Sequence, residues 1–320
     1  MDISIRNINL DTDIQGIREA HGDDDHWGSD EACYSSSKTS LENGFFIQVA
    51  TIDGKVGGRD EKNVGLAEAT IDGKIAGRDK KIVGHAEATI DGKIGGYDEK
   101  IVGHAEWVIS NEPCQRFLYL GMLQVHTEYQ KRGVGSKLID SGAAYAKENG
   151  CTFLRTMPNI ESGSMIFYHK NGFIETKDRN STLTLETMSA SVESAVRIDK
   201  VPFFAVNKLP FMVGLYQHAS AHIWKVFNAR HEYDRRTVYS YSIGESYINI
   251  GAFEPTERAS VACWSKALTH ELIKEILAVG GSLGYKYLNF CILDENLTCF
   301  NSFDYNTSPE HDVFMERLKI

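Results

Sequence analysis

The chain has 320 residues, 42% of them hydrophobic, and a formal net charge of −10 at pH 7. Its length exceeds one usual domain and its hydrophobic content is enough for real cores, so we expect two globular domains. The negative charge argues against nucleic acid as a partner, because binding a phosphate backbone needs clustered positive charge. It leans instead toward cationic substrates such as amines.

The sequence favours a cytoplasmic protein. It shows neither a long apolar span nor a cleavable leader, and residues 2–6 look like an opening strand. The six cysteines are scattered without a C-x-x-C pair, which fits a reducing cytosol and argues against structural zinc. We therefore expect no membrane partner and no metal.

Two short helices and a repeated hexapeptide come first along the chain. Residues 11–44 read as the helices, with Asp11 as an N-cap, joined near an acidic run at 22–28. The hexapeptide Ala-Thr-Ile-Asp-Gly-Lys then recurs every nineteen residues, beginning at positions 50, 69 and 88. Such a period is typical of a supersecondary unit stacked on its neighbour, here one strand and a polar loop.

Two arrangements of these repeats are open. Removing two copies would join residues 45–53 to residues 101–109 through one turn, so the duplicated units insert two strands into a hairpin. The extra strands either continue the sheet as an antiparallel meander or project as a hairpin arm. Alternating small residues leave neither face much to bury, and such strands can pair with another subunit, so a homodimer through this insert is an option.

A glycine turn follows, between a strand-like run at 118–125 and a helix-like run at 136–147. Glycines at 133 and 135 remove Cβ atoms that would block a phosphate, and the first-turn N–H groups of a helix can point at an anion. Lys131 and Arg132 add positive charge. The Walker and Rossmann patterns both fail, and a simple tight turn is the alternative interpretation.

This turn resembles motif A of the GNAT superfamily of acyl-CoA-dependent N-acyltransferases, Gln/Arg-x-x-Gly-x-Gly/Ala, in Gln130, Gly133 and Gly135. Residues 164–173, Ser-Met-Ile-Phe-Tyr-His-Lys-Asn-Gly-Phe, resemble motif B, a helix with a tyrosine that closes on Gly-Phe. The resemblance implies the GNAT fold, an α/β (α+β) architecture with a mixed, mostly antiparallel sheet flanked by helices. The repeats at about 50–106 would be a strand insertion in it.

The resemblance also implies acetyl-CoA as cosubstrate, in a slot where the fourth strand of the fold splays from the fifth. Backbone groups of Leu123 and Val125 would meet the acyl-pantetheine end, as in strand addition. Asn159 would lie near the arm. The CoA-binding turn would comprise Gln130, Lys131, Arg132, Gly133, Val134, Gly135 and Ser136.

Acetyl transfer needs the amine to be neutral and the departing thiolate to be protonated. Tyr168 is the candidate acid, since a phenol with a reference pKa of about 10 can hydrogen-bond a thiolate and donate to it if its surroundings lower that pKa. Ordinary packing is the alternative for Tyr168. The base is open, because the fourth strand carries no carboxylate where some family members place a glutamate. Its candidates are His126, with a reference pKa of about 6.5, and Glu106, whose His-Ala-Glu tripeptide also recurs as a strand pattern.

A junction is expected at residues 187–192, dividing the chain into domains at 1–190 and 191–320. In the second domain, strands are predicted at 195–206, 237–243, 247–253, 261–264 and 286–293, and helices at 211–230 and 268–279. The order from 261 to 293 looks like a degenerate half of the same fold without Gly-x-Gly, so no second CoA site is expected. His218 and His222 are four apart on a predicted helix, but no third metal ligand is evident.

The leading hypothesis is a GNAT-type acyltransferase that moves acetyl from acetyl-CoA to a primary amine of a small molecule or peptide, by direct attack in a ternary complex. The alternatives are a non-catalytic acyl-CoA-binding regulatory module and a strand-mediated assembly protein. In the resemblance, residues 11–44 wall the acceptor pocket. There Asp23, Asp24 and Asp25 would hold an ammonium and Trp27 would stack on it, unless this run is only a solvated loop.

Overall fold

A computed structural model of the chain contains two mixed sheets and a separate hairpin. No helix within the described residues is long and apolar enough to cross a membrane. The structure describes residues 2–21, 29–53, 66–71, 82–87, 99–112, 115–158, 163–176, 180–189, 193–214, 219–228, 236–253, 255–308, 314–318 and 320.

The first sheet has seven strands, and one pair of neighbouring strands in it is parallel. Its strands are β1 (Ile3–Asn7), β2 (Phe45–Asp53), β5 (Glu99–Glu112), β6 (Gln115–Val125), β7 (Leu154–Thr156), β8 (Ile174–Glu175) and β17 (Met315–Arg317). They lie in the order β1-β2-β5-β6-β7-β17-β8, where β6 and β7 are parallel and the other neighbours antiparallel. The predicted mixed, mostly antiparallel sheet is confirmed.

Helices cover both faces of this sheet. They are α1 (Ile14–His21), α2 (Asp30–Glu42), α3 (Val134–Glu148) and α4 (Ser164–Lys170). The apolar residues of α3 recur at helical spacing and pack with Leu118 and Leu120 on one face. Helix α1 packs with Val49 and Ile101 in another cluster. The predicted order of strand, glycine turn, helix, strand and helix from 118 to 173 is therefore present.

The repeats form a hairpin of their own. Strands β3 (Leu66–Ile71) and β4 (Ile82–Glu87) pair antiparallel in a two-stranded sheet. Strand β2 pairs directly with β5, which places Ile47 opposite Glu106. Thus β2 and β5 form the expected hairpin, and the expected meander is not what the described strands adopt. The loops of the repeats lie outside the described residues.

The second sheet has eight strands. These are β9 (Asn180–Glu186), β10 (Ala195–Ile198), β11 (Phe211–Val213), β12 (Arg236–Ile243), β13 (Ser246–Phe253), β14 (Arg258–Trp264), β15 (Tyr287–Leu293) and β16 (Tyr305–Ser308). Its order is β10-β12-β13-β14-β15-β9-β16, and β11 pairs with β14. The accompanying helices are α5 (Phe203–Lys208), α6 (Ser220–Asn228) and α7 (His270–Ser282).

Two predicted elements of this region were wrong, and prolines explain both. The strand expected at 195–206 ends at Ile198, because Pro202 cannot donate in a strand ladder and instead stands at the N-cap of α5. Of the helix expected at 211–230, the described residues form a strand at Phe211–Val213 and a helix at Ser220–Asn228. Leu209, which precedes Pro210, is extended (φ −114°, ψ 141°), and the chain continues as β11.

Each sheet takes a strand from the other end of the chain. Strand β9, which precedes residue 190, pairs with β15 and β16. Strand β17, close to the C-terminal residue, pairs with β7 and β8. The sheets therefore do not divide the chain at residue 190, and the division into domains at 1–190 and 191–320 stays a prediction about folding units.

Candidate functional site

A slot opens in the first sheet where β6 and β7 part. These strands pair only from Leu118 to Leu120 on β6, and β7 ends at Thr156 while β6 continues to Val125. The His126 N–H donates to the Val102 carbonyl at 2.9 Å, toward β5. Since backbone groups of successive strand residues point to opposite edges, those of Leu123 and Val125 point to the open edge.

A β-bulge marks the inner end of this slot. Glu106 lies opposite Met122 and Trp107 lies opposite Leu120, which leaves Gly121 as the extra residue of β6. A bulge of this kind bends its strand and disrupts the ladder locally. It stands where the parallel pairing with β7 stops, so the bend and the parting of the strands coincide.

The glycine turn lies at the outer end of the slot. Gly133 is the N-cap of α3 with φ +85° and makes no side-chain cap, and Lys131 also has a positive φ, +59°. The Lys137 N–H donates to the Gly133 carbonyl at 3.0 Å. The N–H groups of Val134, Gly135 and Ser136 come before that bond and have no partner one helical turn earlier. An uncapped helix N-terminus of this kind can bind an anion.

The two glycines of the motif have different structural roles. A Cβ at Gly133 would meet nothing within 4 Å, so the left-handed φ is what requires glycine there. A Cβ at Gly135 would lie 2.9 Å from the Phe167 ring of α4. Gly135 therefore allows α3 and α4 to approach. Gln130 links the turn to the strand, because its Nε2 donates to the Val125 carbonyl at 3.1 Å.

Tyr168 reaches the place where the strands part. It is buried, its ring packs on Phe167 and Phe173, and it shares a hydrogen bond with Thr156. The Thr156 hydroxyl also donates to the Leu120 carbonyl at 3.2 Å. Burial raises the pKa of Tyr168 to about 12, although the hydrogen bond with Thr156 opposes this. The acid role expected for Tyr168 depended on surroundings that lower its pKa. Burial raises the pKa instead, because it disfavours the phenolate.

The two candidate bases occupy different places. Glu106 is buried on β5, where it forms an ion pair with Lys225 of α6 and accepts a hydrogen bond of 3.1 Å from Ser40. His126 follows the end of β6, and its Nδ1 accepts from the Glu128 N–H at 3.3 Å.

A buried histidine pair lies near Glu106. His104 is on the same face of β5 as Glu106, and its Nε2 lies 3.2 Å from the Nε2 of His21. Burial, together with His21, lowers the pKa of His104 to about 3.

Several residues named from the sequence lie outside the described residues. They are Asp23, Asp24, Asp25, Trp27, Asn159 and His218. Within the described part of the chain, no group of three or more His, Cys, Asp or Glu side chains could hold a metal ion.

Sequence reasoning missed the contribution of α6. This helix comes from the C-terminal part of the chain, yet its residues share a core cluster with Phe45 and Tyr119 of the first sheet. Lys225 and His222 lie three apart and face the same sheet, at Glu106 and Gly121 respectively. Their spacing on one helix face was the available signal, but it does not identify the partner surface.

Comparison with protein-family models matches residues 59–173 to the Acetyltransferase (GNAT) family. The matched range contains the bulge, the glycine turn, α3 and Tyr168. Residues 59–173 are therefore identified as a GNAT-family segment of the chain. No curated protein matches its sequence.

Solved structures extend the likeness to the fold of the whole chain. A GCN5-related N-acetyltransferase from Anabaena variabilis aligns with 14% identity and a TM-score of 0.60, covering 100% of this chain and 73% of that one. Another from Kribbella flavida aligns with 10% identity and a TM-score of 0.55, covering 99% and 72%. At these identities the likeness shows the fold alone. The C-terminal part matches a GNAT arrangement in its parallel β14 and β15 joined through α7.

Proposed function

We propose that this protein transfers an acetyl group from acetyl-CoA to a primary amine of a small molecule or peptide. The observation that carries the proposal is the slot, which combines an open strand edge at Leu123 and Val125 with an uncapped helix N-terminus at Gly133. An extended pantetheine arm would add to the strand edge by main-chain hydrogen bonds. A pyrophosphate would accept from the first-turn N–H groups of α3.

The residues present fit this cosubstrate. A Cβ built at Gly133 would meet no atom within 4 Å, so there is space for a ligand beside the turn. Lys131 and Arg132 are exposed next to it. Their charges would attract phosphate in a protein that is otherwise acidic. The proposed contacts are Leu123, Val125, Gln130, Lys131, Arg132, Gly133, Val134, Gly135, Ser136 and Asn159.

Tyr168 would serve the departing sulfur. With a pKa of about 12 its phenol stays protonated at neutral pH, so it would donate to the sulfur once its hydroxyl hydrogen turns away from Thr156. A thiol has a reference pKa of about 8.5, so full transfer from this phenol to the thiolate is unfavourable in the ground state. Tyr168 would therefore hydrogen-bond the developing thiolate, and it would give its proton to sulfur only as another proton replaces it.

A second candidate function is a regulatory module that binds acyl-CoA in the same slot and catalyses no reaction. The only carboxylate proposed as a base, Glu106, is already ion-paired with Lys225 and hydrogen-bonded by Ser40. A protein whose base is committed in this way would bind acyl-CoA and report it without turnover. This regulatory module predicts the same affinity for acetyl-CoA but no amine-dependent release of CoA.

The deciding experiment measures CoA release with a thiol reagent, using acetyl-CoA and four amines in turn: spermidine, kanamycin, glycine and a short peptide with a free N-terminus. The expected result is release that depends on at least one amine and saturates with it. Acetyl-CoA binding without any amine-dependent release favours the regulatory module. Absence of acetyl-CoA binding overturns both functions.

A further inference from the structure

The proposed reaction requires a group to accept the proton of the amine, and the direction of the slot indicates where this group must be. The helix N-terminus at Gly133 lies beyond Val125, so the pyrophosphate would occupy the outer end of the slot. The arm then runs along β6 toward Leu123, and the acyl end points to the bulge at Gly121. Chemistry is therefore expected beside Gly121.

This direction places His126 far from the acyl end of the arm. His126 follows Val125 at the outer end of β6 and lies three residues beyond Leu123. At a rise of roughly 3.3 Å per residue, that is about 10 Å along the strand in the direction of the pyrophosphate. Strand β6 itself carries no carboxylate from Gln115 to Val125. A proton acceptor for the acyl end has to come from another element.

Helix α6 supplies a side chain at this point. A Cβ added to Gly121 would lie 3.1 Å from Nδ1 and 3.2 Å from Cε1 of His222, so the imidazole stands directly over the bulge. Its ring centroid is 5.2 Å from that of Tyr119 and 6.2 Å from that of Phe45. His222 keeps part of its surface exposed. Glycine at the bulge is therefore what gives the imidazole access to the backbone of β6.

The surroundings keep this imidazole neutral. Burial and the Lys225 ammonium lower the pKa of His222 to about 4, with a smaller lowering from Arg236, while the Glu106 carboxylate opposes them. The lowered pKa makes His222 a weak base, so it would take a proton only as positive charge develops on the attacking nitrogen. The Glu106 carboxylate, itself held by Lys225 and Ser40, is the neighbour that favours the protonated ring. The ion pair of Glu106 and Lys225 therefore sets the electrostatic surroundings of His222.

We infer that His222, carried by α6 from the C-terminal part of the chain, is the proton acceptor of the acetyl transfer at Gly121. This inference rests on the proposed function. The amine nitrogen forms a bond to the thioester carbon, the carbonyl π pair moves onto the oxygen, and His222 takes one N–H proton. The C=O bond then re-forms as the C–S bond breaks with its electron pair on sulfur, and Tyr168 protonates that sulfur. His222 returns its proton through solvent to Tyr168, so an amide and free CoA are the net products.

The test is His222→Ala combined with rescue by free imidazole. Acetyl-CoA affinity is measured by calorimetry, and CoA release is measured with the amine of the panel that gives the fastest turnover. If no amine is turned over, hydrolysis of acetyl-CoA by water is the reaction measured. We expect the affinity to stay within about twofold and the rate to fall about 100-fold or more, the scale of general-base catalysis. Imidazole should restore part of the rate.

Controls separate proton transfer from packing. His270→Ala changes a histidine at the start of α7 and should respond to imidazole as the wild type does. His126→Ala with imidazole tests the rival position. If His222→Ala does not fold, His222→Gln takes its place and should lose the rate while retaining the affinity.

Three results would overturn the inference. One is a rate within about threefold of wild type in the His222 variant. The second is a loss of rate that imidazole does not restore in a folded His222→Ala protein, or rescue of His126→Ala alone. The third is acetyl-CoA binding by the wild type without amine acetylation or thioester hydrolysis. Failure of the wild type to bind acetyl-CoA is different, because it removes the proposed function itself.

Discussion

The chain contains the same strand–helix–strand unit twice, and each copy is called a frame. The first frame is β6, α3 and β7, and the second is β14, α7 and β15. The opening between the two strands differs between the frames. In the first sheet β6 and β7 part beyond Leu120, and beyond that point no described strand pairs with this edge of β6. In the second sheet β14 and β15 pair in parallel only from Arg258 to Ser260 on β14. There β11 fills the opening, pairing with Cys263 and Trp264 of β14.

The second opening is closed on both sides by the chain itself. The Gly214 N–H, which follows β11, donates to the Cys291 carbonyl of β15 at 2.9 Å. The N-terminus of α7 is also satisfied internally, because the Thr269 hydroxyl accepts from the Leu272 N–H at 3.1 Å. Gly133 provides no such cap for α3. Backbone groups that the first frame would offer to the proposed cosubstrate are thus used by the second frame for its own stability.

Tyr168→Phe gives the largest expected effect on the first slot. It removes only the hydroxyl that would serve the leaving sulfur, so turnover should fall by about 100-fold, within the range typical of acid–base groups. Acetyl-CoA affinity should stay within about twofold. Steady-state rates and calorimetry of the same preparation check both statements. An unchanged turnover number would return Tyr168 to a packing role between Phe167 and Phe173.

Gly133→Ala should weaken acetyl-CoA binding by about tenfold. A side chain in the left-handed region costs about 1–2 kcal/mol, which either strains the turn or shifts it away from the binding conformation. Gly150→Ala is the matched control, because Gly150 has φ +68° and open space around its Cβ at the other end of α3. Both variants should lose similar unfolding free energy. Equal affinities in the two variants would break the assignment of the turn to pyrophosphate.

Thr269→Ala tests the corresponding N-cap of the second frame. Loss of a threonine cap typically costs about 1 kcal/mol, and this loss should appear in the free energy of unfolding measured with urea. Acetyl-CoA affinity should not change, since α7 is not proposed to contact the cosubstrate. A change in affinity comparable to that of Gly133→Ala would mean that the two frames are not functionally different.

Deletion of residues 54–91 should have the smallest effect on the slot. It removes two repeat units together with β3 and β4, and it leaves β2 and β5 paired as they already are. We expect a folded protein with unchanged acetyl-CoA affinity. Sedimentation before and after the deletion measures whether the repeats hold two chains together. Aggregation of the shortened protein would contradict the description of the repeats as an insertion.

Local patterns in the sequence predicted much of the first frame. The glycine turn, α3 and α4 follow from residues close together in the chain, such as Gln130, Gly133 and Tyr168, and the family resemblance of these residues implied the parting of two strands. Contacts between distant segments did not follow. Lys225 pairs with Glu106 across 119 positions, and neither residue carries a local signal of the other.

The second frame was harder to predict for physical reasons. Strand β11 is short and apolar, and its sequence continues into an apolar helix, so periodicity alone assigned the whole region to one helix. The exchange of β9 and β17 between the sheets depends on tertiary pairing, which no pattern in either segment specifies. The missing Gly-x-Gly already predicted that the second frame has no CoA site, but its closure by β11 depends on tertiary pairing with β14.

Calorimetric titration of the intact protein with acetyl-CoA tests the central claim most directly. One open and one filled frame predict saturation at one molecule per chain, with micromolar affinity or tighter as the sign of a specific site. Two equivalents per chain would contradict the role of β11 as the strand that closes the second opening. No binding would contradict the assignment of the first.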